Sequence, residues 1–227
     1  ADRSPGPDHC RWHGSLSYKT MMFTTIIFDF DGVLSAYDRP ERLDAISRIT
    51  GLESTIILDR IWGSGFEDAA DAGACADDAS YLSAFNDHLG HQLSRDQWIA
   101  SRAAAMRHWP DMHDLATMLS DHYKLAMLTN NGPLTKVAFA RLAPETAKLF
   151  GDRAFFSCDF GTKKPDGKIF EQVAARLGSA CEDCIFIDDK QRHCDGAART
   201  GMTGIAFNGI DDLENRLARL GVFKAPG

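Results

Sequence analysis

The chain has 227 residues, 44% hydrophobic and 25% charged, enough apolar material for one domain with an insertion or for a large and a small domain. Its 25 Lys and Arg stand against 32 Asp and Glu, a formal net charge of -7. That balance argues against sequence-independent nucleic-acid binding, and no apolar segment is long enough to span a membrane.

Residues 1–20, "ADRSPGPDHCRWHGSLSYKT", lack the apolar stretch and small-residue cleavage site of a secretory signal. Pro5, Gly6, Pro7 and Gly14 oppose regular structure, so this segment is expected to be an appended or mis-started tail, with Met21 or Met22 as the natural start. Next comes "FTTIIFDF", β-branched and aromatic and apolar on both faces, the signature of a buried parallel strand. From about Ser35 to His108 no strand-like run of useful length occurs. Helical stretches fill the interval instead, among them "RPERLDAISRIT", "ADDASYLSAFNDHLG" and "SRDQWIASRAAAMRHW".

Strand-like runs resume at Lys124–Asn130, Ala154–Phe160, Cys184–Asp189 and Thr203–Phe207. Between them, helices are predicted over Pro133–Leu142 (apolar at Leu134, Val137, Ala138 and Leu142), Asp166–Leu177 and Gln191–Thr200. Asp166 is the expected N-cap of the second and Gly178 its stop. Alternating strands and helices predict an α/β fold, a doubly wound, mostly parallel, Rossmann-like sheet. The core is expected at 21–34 and 109–227, with 35–108 an all-helical cap domain over the carboxyl end of the first strand. The single C-x-x-C, Cys181 to Cys184, has no second pair to complete a zinc site. Reduced structural cysteines and a cytoplasmic location are expected.

Polar residues gather at the strand ends: Asp29 and Asp31, Thr129 with Asn130, and Asp188 with Asp189, while Lys163 and Lys164 lie in a loop. Parallel strands bring these ends to one edge of the sheet. Clustered carboxylates raise one another's pKa unless a cation sits among them, and hard oxygen ligands favour Mg²⁺. A metal, a lysine and a threonine hydroxyl beside a carboxylate form a plausible site for phosphate.

The segments "DFDGVL", "LTN", "KKPDGKIF" and "FIDDKQRHCDGAARTGM" resemble, in order, the four motifs of the haloacid dehalogenase superfamily, in the subfamily whose helical cap lies between motifs one and two. The resemblance implies that Asp29 is the nucleophile, forming an aspartyl-phosphate, and that Asp31 is the general acid and then base. It implies Mg²⁺ held by Asp29, the backbone carbonyl of Asp31 and Asp188. It gives the phosphoryl oxygens to Thr129, Asn130 and nearby backbone N–H groups, Gly32 among them. Lys164, which directly precedes Pro165, takes the charge-neutralising role, and Asp189 is an outer metal partner or orients Lys164. Two positions depart from the pattern: His193 stands where Asn is frequent, and Gly167 follows "KPD" where proline is common.

An acid two residues after the nucleophile favours phosphoryl chemistry, since halide leaves without a proton. The expectation is a Mg²⁺-dependent phosphatase acting on a small phosphorylated metabolite, a sugar or organic phosphate. The alternatives are a phosphomutase of the β-phosphoglucomutase type, a 2-haloacid dehalogenase, or an inactive binding protein. A monomer or homodimer with no nucleic-acid or membrane partner is expected. Tyr37, Trp62, Phe66 and Arg102 are the candidate cap specificity residues; Trp62 and Phe66 also read as plain packing, and Arg102 as a solvated helix face.

Overall fold

A computed structural model describes residues 23–223; the expected tail over 1–20 lies outside them. Strand β1 (Thr25–Phe28) ends where Asp29 begins, and a turn leads into β2 (Ser35–Tyr37). The cap follows as α1 (Arg39–Thr50), α2 (Ser54–Leu58) with a π-helical turn, α3 (Phe66–Asp71), α4 (Asp78–Leu89) and α5 (Arg95–Ala104). Strand β3 (Met106–His108) returns to the core. The core continues with α6 (Pro110–Ser120), β4 (Lys124–Thr129), α7 (Pro133–Leu142), α8 (Pro144–Phe150), β5 (Ala154–Phe156), α9 (Gly167–Leu177), β6 (Cys184–Asp188), α10 (Gln191–Ala198), β7 (Thr203–Ala206) and α11 (Ile210–Arg219).

The main sheet has the order β5-β4-β1-β6-β7, and every pairing in it is parallel. Strand β1 is central, with Ile26 facing Leu125 on one side and Ile185 on the other. Alternation along the strands builds two cores. Ile26, Phe28, Met127 and Ile187 pack with α6, α8 and α11 through Leu115, Phe150 and Leu213. On the opposite face Ile27, Leu128 and Phe186 meet Ile169, Phe170 and Val173 of α9. The chain crosses from one side of β1 to the other between β5 and β6, so the crevice at the carboxyl end of β1 is the topological switch point.

Three expectations need correction. The interval 35–108 is not purely helical: β2 and β3 pair antiparallel at its two ends, Ser35 opposite His108, and tie the cap's exit to its return. These three-residue strands are too short to leave a period-2 signal. The run Ala154–Phe160 is a strand only to Phe156. Ser157 then leaves the ladder, its hydroxyl donating to the Asp71 carbonyl at 2.6 Å and accepting from the Asn131 N–H at 3.2 Å. Val137 is 58% exposed, whereas Leu134 and Ala138 of α7 sit in the cap's apolar cluster with Phe66, Tyr81, Phe85 and Trp98. The cap thus rests on α7, and its position over the sheet edge is set by packing rather than by the ribbon alone.

Candidate active site

The carboxyl end of β1 delivers Asp29 while still in the ladder, since its N–H donates to the Ile187 carbonyl at 2.8 Å. The chain then reverses: Leu34 and Ser35 N–H groups both donate to the Phe30 carbonyl. Gly32 has φ of 91°, and a Cβ there would meet the Asp189 carboxylate at 2.8 Å, so both conformation and space require glycine. Its N–H donates to the Ser35 carbonyl at 2.7 Å. Gly32 therefore serves the turn and is not a free phosphate donor, a correction to the sequence reading.

Asp29 and Asp188 lie at the ends of neighbouring strands, and both are buried, at 3% and 0% exposure. Lys164 stands between them, its Nζ 2.8 Å from Asp29 Oδ1 and 2.6 Å from Asp188 Oδ2, and it also donates to the Leu128 carbonyl. The Lys164 backbone is clasped by Asn130, whose Oδ1 accepts its N–H at 3.0 Å and whose Nδ2 donates to its carbonyl at 2.9 Å. The Asn130 side chain is thereby engaged on the lysine instead of on a phosphate. Lys163 points elsewhere, paired with Asp68 of the cap. Asp189 makes no hydrogen bond to Lys164 and lies at the rim near Lys190; Asp188, Leu128 and Asn130 orient the lysine.

The electrostatics follow from two buried carboxylates sharing one ammonium. Burial, opposed by Lys164 and reinforced by Asp188, holds Asp29 well above the usual carboxylate range. Burial works against the charge of Asp188 too, but Lys164 and His193 outweigh it and hold Asp188 far below that range. Lys164 is raised, because the two carboxylates overcome its own desolvation. His193 takes the position where Asn is frequent. Its Nδ1 lies 2.9 Å from both Asp188 oxygens, and its buried Nε2 has no partner among the described residues.

Asp29, Asp188 and His193 each place one ligand-type atom within 4.8 Å of the others. With Lys164 as the only ammonium on the two carboxylates among the described residues, a small dication fits this donor set: it would offset the charge excess that, with burial, holds Asp29 above the usual carboxylate range. The Asp31 side chain is not part of this cluster. Asp31 instead accepts two hydrogen bonds from Arg102 Nη2, at 2.8 and 2.6 Å, and one from Asn131 Nδ2 at 3.0 Å. Asn131 Nδ2 also donates to Thr129 Oγ1 at 2.7 Å, so Thr129 and Asp31 share one bracket.

A cavity of about 320 Å³ opens between these groups and the cap. Tyr37, Trp62 and Arg102 line it as the sequence suggested. Phe66 does not: it is 7% exposed and packs with Tyr81, Phe85 and His88 inside the cap. Arg102 is not solvated but 3% exposed, its guanidinium 4.3 Å from the Tyr37 ring. Reading the sequence missed Asn131, Asp71 and Arg42 on this cavity. The signal for Arg42 was present, four residues before Ile46 on the apolar stripe of α1. Its Nη1 donates to the Tyr37 hydroxyl at 3.3 Å.

Part-buried Asp71 is pushed up to about 8 by burial and by Glu67, against the pull of Lys163 and Arg102. An acid whose folded pKa is raised binds more protons folded than unfolded, so it lowers stability as pH rises from about 4 to about 8. Asp71→Asn is therefore expected to raise the unfolding temperature by a gain that grows between pH 5 and pH 8, to a few degrees. Thermal scans at the two pH values check this, and an equal effect at both would contradict it.

The profile of the haloacid dehalogenase-like hydrolases matches residues 23–201. The chain belongs to that family. Phosphatase MT3486 of Mycobacterium tuberculosis (strain CDC 1551 / Oshkosh) is 30% identical over 195 residues, covering 80% of this chain and 86% of the relative. A chloroplast flavin mononucleotide hydrolase of Arabidopsis thaliana is 40% identical over 110 residues, 48% of this chain and 43% of that protein. In fold, the chain resembles a family enzyme of Bacteroides thetaiotaomicron solved with magnesium and inorganic phosphate, at a TM-score of 0.70, 20% identity, and coverage of 81% and 93%. The L-2-haloacid dehalogenase of Xanthobacter autotrophicus superposes less closely, with a TM-score of 0.59, 21% identity, and coverage of 90% and 85%. The five-stranded parallel sheet and its helices are thus those of a haloacid dehalogenase-like hydrolase.

Proposed function

We propose that this hydrolase is a Mg²⁺-dependent phosphatase that cleaves a small phosphomonoester, a sugar or other organic phosphate, through a phosphoryl-Asp29 intermediate. The observation that carries the reading is Asp31, an acid two residues beyond the nucleophile whose carboxylate faces the cavity. An alkoxide leaving group needs a proton there; a halide does not.

In the first half-reaction Asp29 attacks phosphorus, and Asp31 protonates the departing oxygen. In the second, water attacks the phosphoryl group, Asp31 takes its proton, and the Asp29 carboxylate is released. Lys164 offsets the charge on Asp29 and on the transferring group, and Thr129 is assigned to a phosphoryl oxygen. Mg²⁺, held by Asp29, Asp188 and the Asp31 carbonyl, would supply charge neutralisation at the phosphoryl oxygens. His193 holds Asp188 in place for that role.

A cavity of about 320 Å³ is at the small end of the range of about 300–1,000 Å³ for ligand pockets, in keeping with a small substrate. The curated relatives named as a phosphatase and a flavin mononucleotide hydrolase agree with phosphoester chemistry. All the groups invoked come from one chain, so the reading holds for a monomer or a homodimer. A cytoplasmic location is kept as part of it, in keeping with the free thiols of Cys181, Cys184 and Cys194.

The test is release of phosphate from a panel of phosphomonoesters. Release is expected with Mg²⁺ and is lost on chelation. Metal-independent release, chloride release from a 2-halo acid, or a strictly bisphosphate-dependent isomerisation would each replace this reading.

A further inference from the structure

We propose that Arg102, on cap helix α5, is a positioning residue that fixes Asp31 as the base for the second half-reaction. The inference rests on the phosphatase reading and extends it to the cap. Asp31 receives three hydrogen bonds, two from Arg102 Nη2 and one from Asn131 Nδ2. A carboxylate has about four lone-pair sites, so about one is left. The Asp31 side chain keeps 20% exposure and lines the cavity, where that remaining site meets substrate or water.

The latch is built from both domains. On the core side, Asn131 is pinned by Thr129 Oγ1 and by Ser157, which also holds the Asp71 carbonyl. On the cap side, Arg102 is 3% exposed, lies over the Tyr37 ring, and follows Trp98 by one helical turn on the buried stripe of α5. Tyr37 is in turn engaged by Arg42. A buried guanidinium stacked on Tyr37 and bound through Nη2 to Asp31 has little freedom to turn toward a leaving group and choose among substrates. It holds one carboxylate in one orientation.

The step that depends most on this is hydrolysis of phosphoryl-Asp29. Water's oxygen forms the new bond to phosphorus, its proton passes to Asp31, and the bond from phosphorus to Asp29 Oδ breaks. Inorganic phosphate leaves and the Asp29 carboxylate is restored. A misaligned Asp31 slows this step more than the first when the leaving group is acidic enough to depart with little help.

The experiment is rapid-mixing kinetics with p-nitrophenyl phosphate and Mg²⁺ on the full chain. The wild type releases nitrophenolate in steady turnover, and Asp29→Asn releases none. Arg102→Met is expected to release about one equivalent in a burst, followed by turnover slowed on the order of 10–100-fold as phosphoenzyme accumulates. Arg102→Lys, which keeps the charge but loses the planar group stacked on Tyr37, recovers part of the slow phase. Tyr37→Leu, which removes the ring under Arg102 together with the hydrogen bond from Arg42, gives a weaker burst and tests the role a second way should the arginine variants fold poorly. Loss of both phases in proportion, or unchanged turnover, in the folded variants overturns the role of Arg102 and leaves the phosphatase reading standing. A wild type that releases no nitrophenolate, or an Asp29→Asn variant that still does, overturns both.

Discussion

Asp29→Asn is expected to lower phosphate release on the order of 10⁴-fold or more while leaving the fold intact, because an amide cannot attack phosphorus. The substitution keeps the shape of the side chain and an oxygen to accept the Phe30 N–H, which now reaches Asp29 Oδ1 at 2.7 Å. It also removes a charge that the site accommodates poorly without a metal, since burial holds Asp29 well above the ordinary carboxylate range. A raised carboxylate costs stability as pH rises upward from that range, so the variant in chelator is expected to be as stable as the wild type or more so at neutral pH. Phosphate release and thermal unfolding on the same samples check the two halves. Retained turnover, or a marked fall in unfolding temperature, would contradict the assignment.

Lys164→Met is expected to have the largest effect on stability. The ammonium is 1% exposed and bridges two buried carboxylates, with the Phe186 ring 5.3 Å away. Removing one partner of a buried ion pair costs about 3–5 kcal/mol, because the remaining charge is left uncompensated. At about 2–4 °C per kcal/mol for a chain of this size, the unfolding temperature falls by roughly 6–20 °C. Adding Asp188→Asn to Lys164→Met restores part of that loss by removing the stranded charge, a coupling that a double-mutant cycle measures. Neither variant turns over substrate. A Lys164→Met protein as stable as the wild type would show that the ammonium is not balancing the carboxylates.

The sheet was legible because its strands are buried on both faces and carry few polar residues until their ends. Thr25–Phe28 and Cys184–Asp188 stop where their aspartates begin to serve the site. Asp166 and Gly178 were legible for a local reason: the first accepts the Lys168 N–H, and the second adopts the left-handed conformation at the helix end. What sequence could not give was the use of a polar group once the chain had folded. Asn130 and Asn131 are adjacent, yet one clasps the Lys164 backbone and the other bridges Thr129 to Asp31. Arg102 looked like a solvated position because charged helix residues commonly are. Its place one turn after Trp98 and three residues after Ile99, on the buried stripe, was the overlooked signal. The ribbon of β2 and β3 left no signal, since its partners lie at opposite ends of the cap, Ser35 with His108, and its strands are three residues long.

The most direct measurement of the central claim is a single turnover in ¹⁸O-labelled water with a phosphomonoester and Mg²⁺. Water that attacks phosphorus carries its oxygen into inorganic phosphate and returns Asp29 unlabelled, which is the result expected here. Label in the carboxylate of Asp29 would mean that water attacks the carbonyl carbon of an aspartyl ester, and would contradict the account.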